Sequence, residues 1–247
     1  MNDTILLVNP WITDFAAYDY WLKPLGMLYI AGVLRAHDYR VGLIDCMDRC
    51  DPDLLTWQGI ASPKNRLYGT GKFYREIIPK PAVYQSVPRR YARYGFPLSL
   101  FREKLKRCGR PGAALVTSGM TYWYPGVQLV IQEIRRAYPE LPIVLGGIYA
   151  TLCREHAIAT AGADYVIAGE GELAALQLVD RLLGVKRDYS HFPKQLDELP
   201  LPAFDLYQNL KYATVMTSRG CPLNVLVLRF KPGVGKIPLA HAGKRGF

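Results

Sequence analysis

The sequence predicts an α/β fold, in which a Rossmann-like five-stranded parallel sheet carries helices on both faces. Short apolar runs alternate five times with longer segments whose apolar residues recur at helical spacing. The apolar runs are unbroken rather than alternating, which is typical of strands buried on both faces of a parallel sheet. A chain of 247 residues with 50% hydrophobic residues is long enough for one such domain and part of a second.

The predicted elements follow one another in the order of a βα fold. The strands are expected at residues 5–8, 41–44, 113–117, 143–145 and 165–168. The helices are expected at residues 24–35, 127–138, 152–161 and 172–183. Together they define a main domain over residues 1–184.

Two segments depart from this pattern. Residues 46–110 form a basic insertion rich in Tyr and Arg, and residues 185–211 read as a linker with prolines and no regular periodicity. A second unit is expected to begin at residue 212.

The net charge of +10 is concentrated in the insertion, where fourteen Lys and Arg face five Asp and Glu, and in residues 222–247, where five basic residues face none. Interleaved Tyr and Arg could bind nucleic acid, with Tyr rings stacking on bases and Arg contacting phosphates. The alternative, that these aromatic side chains pack on the main domain, is favoured, so a nucleic-acid partner is not expected. No apolar run is long enough to cross a membrane, and five unevenly spaced cysteines favour a reducing cytoplasm.

Several predicted strands end in small or polar residues, such as Asn9-Pro10, Ser118-Gly119, Gly146-Gly147 and Gly169-Glu170-Gly171. Turns in α/β folds need glycine with or without a ligand. Because parallel strands point their carboxyl ends to one edge, these residues together predict a ligand site there, where glycine allows close approach to the backbone.

The order of the motifs resembles that of the cobalamin-binding-domain radical S-adenosylmethionine (radical SAM) proteins. The matching pieces are "ILLVNP", "PLGMLYIAGVLRAHDYRVGLID", "LPIVLGGIYATLCREHA", "GADYVIAGEGE", "LPLPAFDLY" and "TSRGCP", spread over residues 5–222. The resemblance implies an N-terminal cobalamin-binding domain followed by a partial TIM barrel. The intact family also uses a [4Fe–4S] cluster and S-adenosylmethionine.

The resemblance also implies which residues contact cobalamin. They are Asn9, Pro10, Ser118, Gly119, Thr121, Gly146, Gly147, Ile148, Gly169, Glu170 and Gly171. Gly146 and Gly147 would lie against the nucleotide tail. Glu170 and Glu172 could bind a ligand hydroxyl or amide, or could favour the dipole at the start of a helix.

Two features of the family are missing. Many cobalamin domains carry D-x-H-x-x-G, whose histidine binds cobalt, and none of His37, His156, His191 and His241 lies in that motif. The family holds its cluster with C-x3-C-x2-C, but Cys221 is followed by Val225 and Leu228 where the other cysteines should be. One thiolate cannot hold a cubane cluster, so Cys221 is an incomplete metal motif and no cluster or S-adenosylmethionine is expected in this chain.

Cys46 and Cys50 have the first spacing of a cluster motif, but the third position is Asp53, so the pair is interpreted as structural. Residues 225–247 have no counterpart in the family. Permitted codons for Val-Leu-Val-Leu-Arg-Phe at residues 225–230 give Cys-Ser-Tyr-Cys-Ala-Ser after loss of one base. We therefore expect a frameshifted tail that truncates the barrel shortly after it starts at residues 212–224.

The sequence thus predicts the cobalamin-binding module of a radical SAM enzyme that performs methyl transfer or a radical rearrangement in its intact form. The chain itself is expected to bind without turnover. The alternative is a Rossmann-like domain that has lost cobalamin and presents substrate or docks a partner domain. The substrate is left open.

Overall fold

The computed structural model describes residues 3–219 and 240–241. In chain order the strands are β1 (Thr4–Asn9), β2 (Ile12–Asp14), β3 (Tyr18–Asp19), β4 (Arg40–Asp45), β5 (Gly71–Lys72), β6 (Arg75–Ile77), β7 (Ala92–Tyr94), β8 (Ala113–Val116), β9 (Ile143–Leu145), β10 (Tyr165–Val166) and β11 (Ala240–His241). The helices are α1 (Leu25–Ala36), α2 (Pro52–Gln58), α3 (Leu98–Arg107), α4 (Tyr124–Ala137), α5 (Ile148–Leu152), α6 (Arg154–Thr160) and α7 (Glu172–Leu183).

The central sheet contains the five predicted strands, all parallel, in the spatial order β4-β1-β8-β9-β10. The predicted Rossmann-like sheet is therefore confirmed. One difference is β11, a pair of residues from the tail that adds antiparallel to β10. The connection from β4 to β8 skips over β1, which puts the topological switch point between β1 and β8.

The core forms two layers, because alternate side chains of each strand point to opposite faces of the sheet. Leu6 and Val8 of β1 pack with α3 and α4 on one face, and Ile5 and Leu7 pack with α1 and α7 on the other. All four side chains are no more than 1% exposed. Burial on both faces explains why the strands read as unbroken apolar runs.

Two helical predictions needed adjustment. The helix predicted at residues 152–161 corresponds to α6, and a short helix that was not predicted, α5, precedes it. The two are divided at Cys153, whose φ of −123° and ψ of 46° are not helical. The basic segment before β8 contains α3, whose Leu100, Phe101 and Leu105 are buried in the main core. The predicted insertion of residues 46–110 thus includes a helix of the main domain.

The rest of the insertion contains α2 and the strands β5, β6 and β7. These strands pair with β2 and β3, which precede the insertion, in two small antiparallel sheets, β2-β7-β6 and β3-β5. The insertion residues Phe73, Tyr91 and Tyr94 are all buried. The Phe96 N–H donates to the Cys46 carbonyl just beyond β4, with an N···O distance of 2.9 Å. This burial supports the interpretation in which the aromatic side chains pack on the main domain.

The linker runs back along α1. Ala203 N–H donates to the Leu28 carbonyl at 3.1 Å, and Arg35 pairs with Asp205. The Leu201 carbonyl oxygen lies 2.4 Å from the position that a Cβ would occupy at Gly32. Only a glycine in the middle of α1 therefore allows this close approach. In the described part of the chain, none of the helices has the length and apolar character needed to span a bilayer.

Candidate functional site

The loops after β1, β8, β9 and β10 lie at one edge of the sheet, because the four strands are parallel and in register. Every residue that the resemblance assigns to cobalamin lies at the end of one of these strands or in the segment that follows it. The two halves of this edge differ: the end of β1 and β4 is closed by other parts of the chain, and the end of β8, β9 and β10 presents glycines and exposed apolar side chains.

The closed half is sealed by hydrogen bonds around Asp45. Its buried carboxylate accepts from the Asn9 amide at 2.6 Å, from the Tyr207 hydroxyl at 2.6 Å and from the Met47 N–H at 2.9 Å. Burial, reinforced by the nearby Asp48, raises the pKa of Asp45 against the opposing effect of Lys23. Asn9 thus directs its amide toward β4, and its side chain is already engaged.

The chain after Asn9 also fills the switch point. Pro10 and Trp11 are buried, and the Trp11 indole N–H donates to the Phe96 carbonyl at 2.7 Å. The Trp11 carbonyl oxygen lies 2.0 Å from where a Cβ would stand at Gly126 of α4. The crevice between β1 and β8 is therefore occupied by the protein itself.

Lys23 and Tyr212 extend the closed half. The Lys23 ammonium pairs with Asp48 at 2.9 Å and lies 3.8 Å from the centre of the Tyr207 ring. The Tyr212 hydroxyl donates to Asp19, which also pairs with Arg49. The sequence reasoning missed this network, although the acidic residues Asp45 and Asp48 just after a predicted strand were a usable signal.

The open half begins at Ser118. Its hydroxyl donates to the Gly146 carbonyl at 2.7 Å, and its carbonyl accepts from the Ile148 N–H at 2.9 Å. Gly147 has φ +92°, and a Cβ there would lie 2.5 Å from the Ser118 carbonyl oxygen. The loops after β8 and β9 are thus joined, and Gly147 is required by the fold itself.

Gly146 is different, because a Cβ there would meet nothing closer than the Ile167 carbonyl oxygen at 3.9 Å. At Gly119 a Cβ would lie 3.1 Å from the Trp123 ring. Thr121 begins the short 3-10 turn Thr121–Trp123 that leads into α4. Of these positions, Gly146 is the one that leaves open space over the backbone.

Exposed apolar side chains follow β8 and β9. Met120, Tyr122, Ile148 and Leu152 are between 39% and 50% exposed, and α5 lies against the turn Thr121–Trp123. A group of exposed apolar side chains next to glycine backbone marks a candidate interaction site. The sequence reasoning found only Ile148 among them, because a lone exposed Met, Tyr or Leu has no distinguishing pattern.

The loop after β10 carries two carboxylates of different character. The Glu170 side chain is 63% exposed, whereas Glu172, at the start of α7, is buried and accepts two hydrogen bonds from the Arg219 guanidinium. Arg219 also lies 3.7 Å from Glu170. Glu172 is therefore committed to an ion pair, and Glu170 is the carboxylate that a ligand can reach.

The described histidines lie elsewhere. The His37 imidazole contacts the Val33 carbonyl and stacks on Phe192, and His156 contacts the Tyr149 hydroxyl. His191 is exposed in the linker. His37 and His156 are thus engaged in packing contacts within the domain.

The candidate metal residue Cys221 lies outside the described residues, as does most of the tail. Cys46 and Cys50 are buried, and burial raises the pKa of both thiols. Within residues 3–219 and 240–241 no group of three His, Cys, Asp or Glu side chains could hold a metal ion. The burial of Cys46 and Cys50 favours their interpretation as structural residues.

Part of the chain matches a known protein family. The sequence model of the B12 binding domain family matches residues 102–179, which include the open half. This match confirms the cobalamin-binding-domain resemblance that the strand-end motifs indicate. It covers the loops after β8, β9 and β10 and leaves out β1.

An uncharacterized methyltransferase, PH0819, from Pyrococcus horikoshii is 32% identical in an alignment 129 residues long, and the match covers 42% of this chain and 28% of that protein. Two structures of the radical S-adenosylmethionine methyltransferase TsrM from Kitasatospora setae are 16% and 17% identical, with TM-scores of 0.47 and 0.46. They match 75% of this chain and 27% and 26% of TsrM. The chain therefore spans only about a quarter of the length of these proteins.

Proposed function

We propose that residues 1–184 are the cobalamin-binding module of a radical SAM enzyme, with methyl transfer or a radical rearrangement as the reaction of the intact protein. The observation that carries the proposal is the open backbone at Gly146, bonded to Ser118, within the segment that matches the B12 binding domain family. The comparison with a methyltransferase over part of the chain favours methyl transfer.

The residues of the open half fit the chemistry of a corrinoid. Its macrocycle presents two broad apolar faces, which match the exposed Met120, Tyr122, Ile148 and Leu152, and its rim carries amide groups. The exposed Glu170 carboxylate can accept hydrogen bonds from such amides. Gly146 allows a ligand to approach the main chain without meeting a side chain.

The module would hold its ligand mainly through the loops after β8, β9 and β10. Ser118, Gly119 and Thr121 would form one side, Gly146, Gly147 and Ile148 the floor, and Gly169, Glu170 and Gly171 the other side. Asn9 and Pro10 would contribute indirectly, since they close the neighbouring half of the edge. When bound, cobalamin would serve as a methyl carrier, which receives a methyl group and later donates it.

In this proposal the cluster and S-adenosylmethionine belong to the intact family and not to this chain. The motif at Cys221 supplies one of the three thiolates that the cluster needs, and S-adenosylmethionine binds to the cluster. The chain would then bind its cofactor without turnover. Four free thiols in the described part of the chain fit a reducing cytoplasm.

The alternative is a domain that has lost cobalamin and serves to present substrate or to dock a partner domain. One observation favours this alternative: the Asn9 amide is hydrogen-bonded to Asp45 and Pro10 is buried, so neither side chain is free to contact a ligand. Mixing the whole chain with hydroxocobalamin, followed by gel filtration, separates the two. We expect a stoichiometric corrinoid spectrum to elute with the protein. Protein that elutes colourless would support the docking module.

A further inference from the structure

We propose that Thr151 is a positioning residue that fixes the two loops of the open half relative to each other. Its hydroxyl donates to the Gly147 carbonyl at 2.8 Å and accepts from the Gly169 N–H at 2.9 Å. One side-chain oxygen thereby joins the loop after β9 to the loop after β10. The inference rests on the proposed function, because both loops belong to the proposed cobalamin site.

The pairing of β10 with β9 ends shortly before Gly169. β10 is two residues long, and the bond from the Ile167 N–H to the Leu145 carbonyl, at 2.8 Å, extends its pairing by one residue. Gly169 then takes a φ of +82°, and as a glycine it has no side chain that could anchor the loop by packing. The hydroxyl of Thr151 is therefore what holds the backbone of Gly169 next to β9.

The backbone of Thr151 is hydrogen-bonded within α5, so its hydroxyl is in a fixed place relative to Gly147 and Gly169. Its own N–H donates to the Gly147 carbonyl at 3.0 Å, and the Ile148 N–H donates to the Ser118 carbonyl at 2.9 Å. The line of contacts from Ser118 through Gly147 and Thr151 to Gly169 crosses the whole open half. A ligand that spans these loops gains affinity when they are fixed before it binds.

The Thr151 hydroxyl both donates and accepts a hydrogen bond, so a substitution of similar shape without a hydroxyl removes both contacts at once. Valine matches threonine in volume but neither donates nor accepts, and it leaves the Gly169 N–H without its partner. Serine keeps the hydroxyl and loses only a methyl group. Thr56 is a matched control, because its hydroxyl donates to the Pro52 carbonyl one helical turn earlier and joins no second loop.

The experiment compares wild-type protein with Thr151→Val, Thr151→Ser and Thr56→Val in two measurements on the whole chain. The first is the amide exchange rate at Gly169, and the second is titration with hydroxocobalamin followed by visible absorbance. We expect Thr151→Val to exchange about fivefold faster at Gly169 and to bind about fivefold more weakly, the equivalent of one neutral hydrogen bond. Thr151→Ser and Thr56→Val should match the wild type in both.

The outcomes are distinguishable. If the wild-type protein does not bind hydroxocobalamin, the proposed function fails, and Gly169 exchange still decides the role of Thr151. If the wild type binds and Thr151→Val binds equally well with unchanged exchange, the inference is overturned. Should valine lower the melting temperature by many degrees, Thr151→Ala, which removes the hydroxyl without keeping the branched shape, decides the matter by the same two readouts.

Discussion

The Tyr207 hydroxyl donates a 2.6 Å hydrogen bond to the Asp45 carboxylate, which joins the linker to the end of β4 across 162 positions of sequence. The Tyr207 side chain is buried, and burial together with the Asp45 charge raises the pKa of its phenol. The linker is thus part of the domain's carboxyl edge.

Replacing Tyr207 with Phe should destabilise the protein by about 1–3 kcal/mol, because the buried Asp45 carboxylate loses one of its donors. Urea unfolding measures the loss, and hydrogen exchange should show faster exchange over residues 199–212. Tyr20→Phe is the control, since Tyr20 is 65% exposed. Equal stability of the two variants would contradict a role for the Tyr207 hydroxyl.

Gly146→Leu should abolish retention of hydroxocobalamin without unfolding the protein. A side chain at residue 146 has open space in the structure and would fill the surface that the ligand needs. Gly42→Leu is a matched control, because a Cβ at Gly42 in β4 meets nothing within 4 Å and lies away from the carboxyl edge. Gel filtration with visible absorbance makes the comparison. Unchanged retention in Gly146→Leu would move the site elsewhere.

Gly147 should respond differently from Gly146. Its φ of +92° is strained for any side chain, and a Cβ would lie 2.5 Å from the Ser118 carbonyl oxygen. Substitution at Gly147 is therefore expected to lower the stability of the fold, whether or not a ligand is bound. Gly147→Ala should cost more than about 1 kcal/mol, whereas Gly146→Ala should cost little. Thermal unfolding of the pair tests this, and equal melting temperatures would contradict it.

Arg219→Gln should free the segment that follows Tyr212. The Arg219 guanidinium binds the buried Glu172 carboxylate and lies 5.9 Å from the centre of the Tyr29 ring. Its loss leaves Glu172 buried without its charged partner, which should cost about 1–3 kcal/mol. Faster amide exchange over residues 213–219 is the expected readout. If Arg219→Gln and Glu172→Gln leave exchange there unchanged, the ion pair does not hold the segment.

Stability should fall at alkaline pH through Tyr189. Burial, with the hydrogen bond to Asp180, raises the pKa of Tyr189 to about 12 from 10.0. Between these values the unfolded chain gives up the phenol proton while the folded protein keeps it, so this contribution is lost as the pH rises through the window. The difference in unfolding free energy between the wild type and Tyr189→Phe should shrink from pH 9 to pH 11. A constant difference would contradict the shift.

The sequence predicted the sheet well because each strand carries its own signal. The unbroken apolar run at β1 and its four counterparts reflect burial on both faces, which depends only on local composition. α3 was missed because Leu100, Phe101 and Leu105 stand among basic residues that suggested an exposed excursion. The composition of a short segment does not show which face of its helix packs against the core.

The site was predicted in part. The glycines at the strand ends follow from topology, since parallel strands bring their carboxyl ends together. The closure of the β1 end depends on Trp11, Tyr207 and Phe96, which are brought together from distant parts of the chain. Long-range contacts of this kind leave no periodicity in the sequence. For the same reason the partner of Glu172 could not be identified before Arg219 was placed beside it.

The effect of Gly32→Ala on stability should depend on whether the linker is docked on α1. Alanine favours a helix over glycine by about 1 kcal/mol, so α1 without a docked linker would gain stability from Gly32→Ala. With the linker docked, the added methyl group would collide with the Leu201 carbonyl oxygen, 2.4 Å away, and the same change would be destabilising. The sign of its effect therefore reports whether the linker is seated, which makes Gly32→Ala a thermodynamic sensor of undocking.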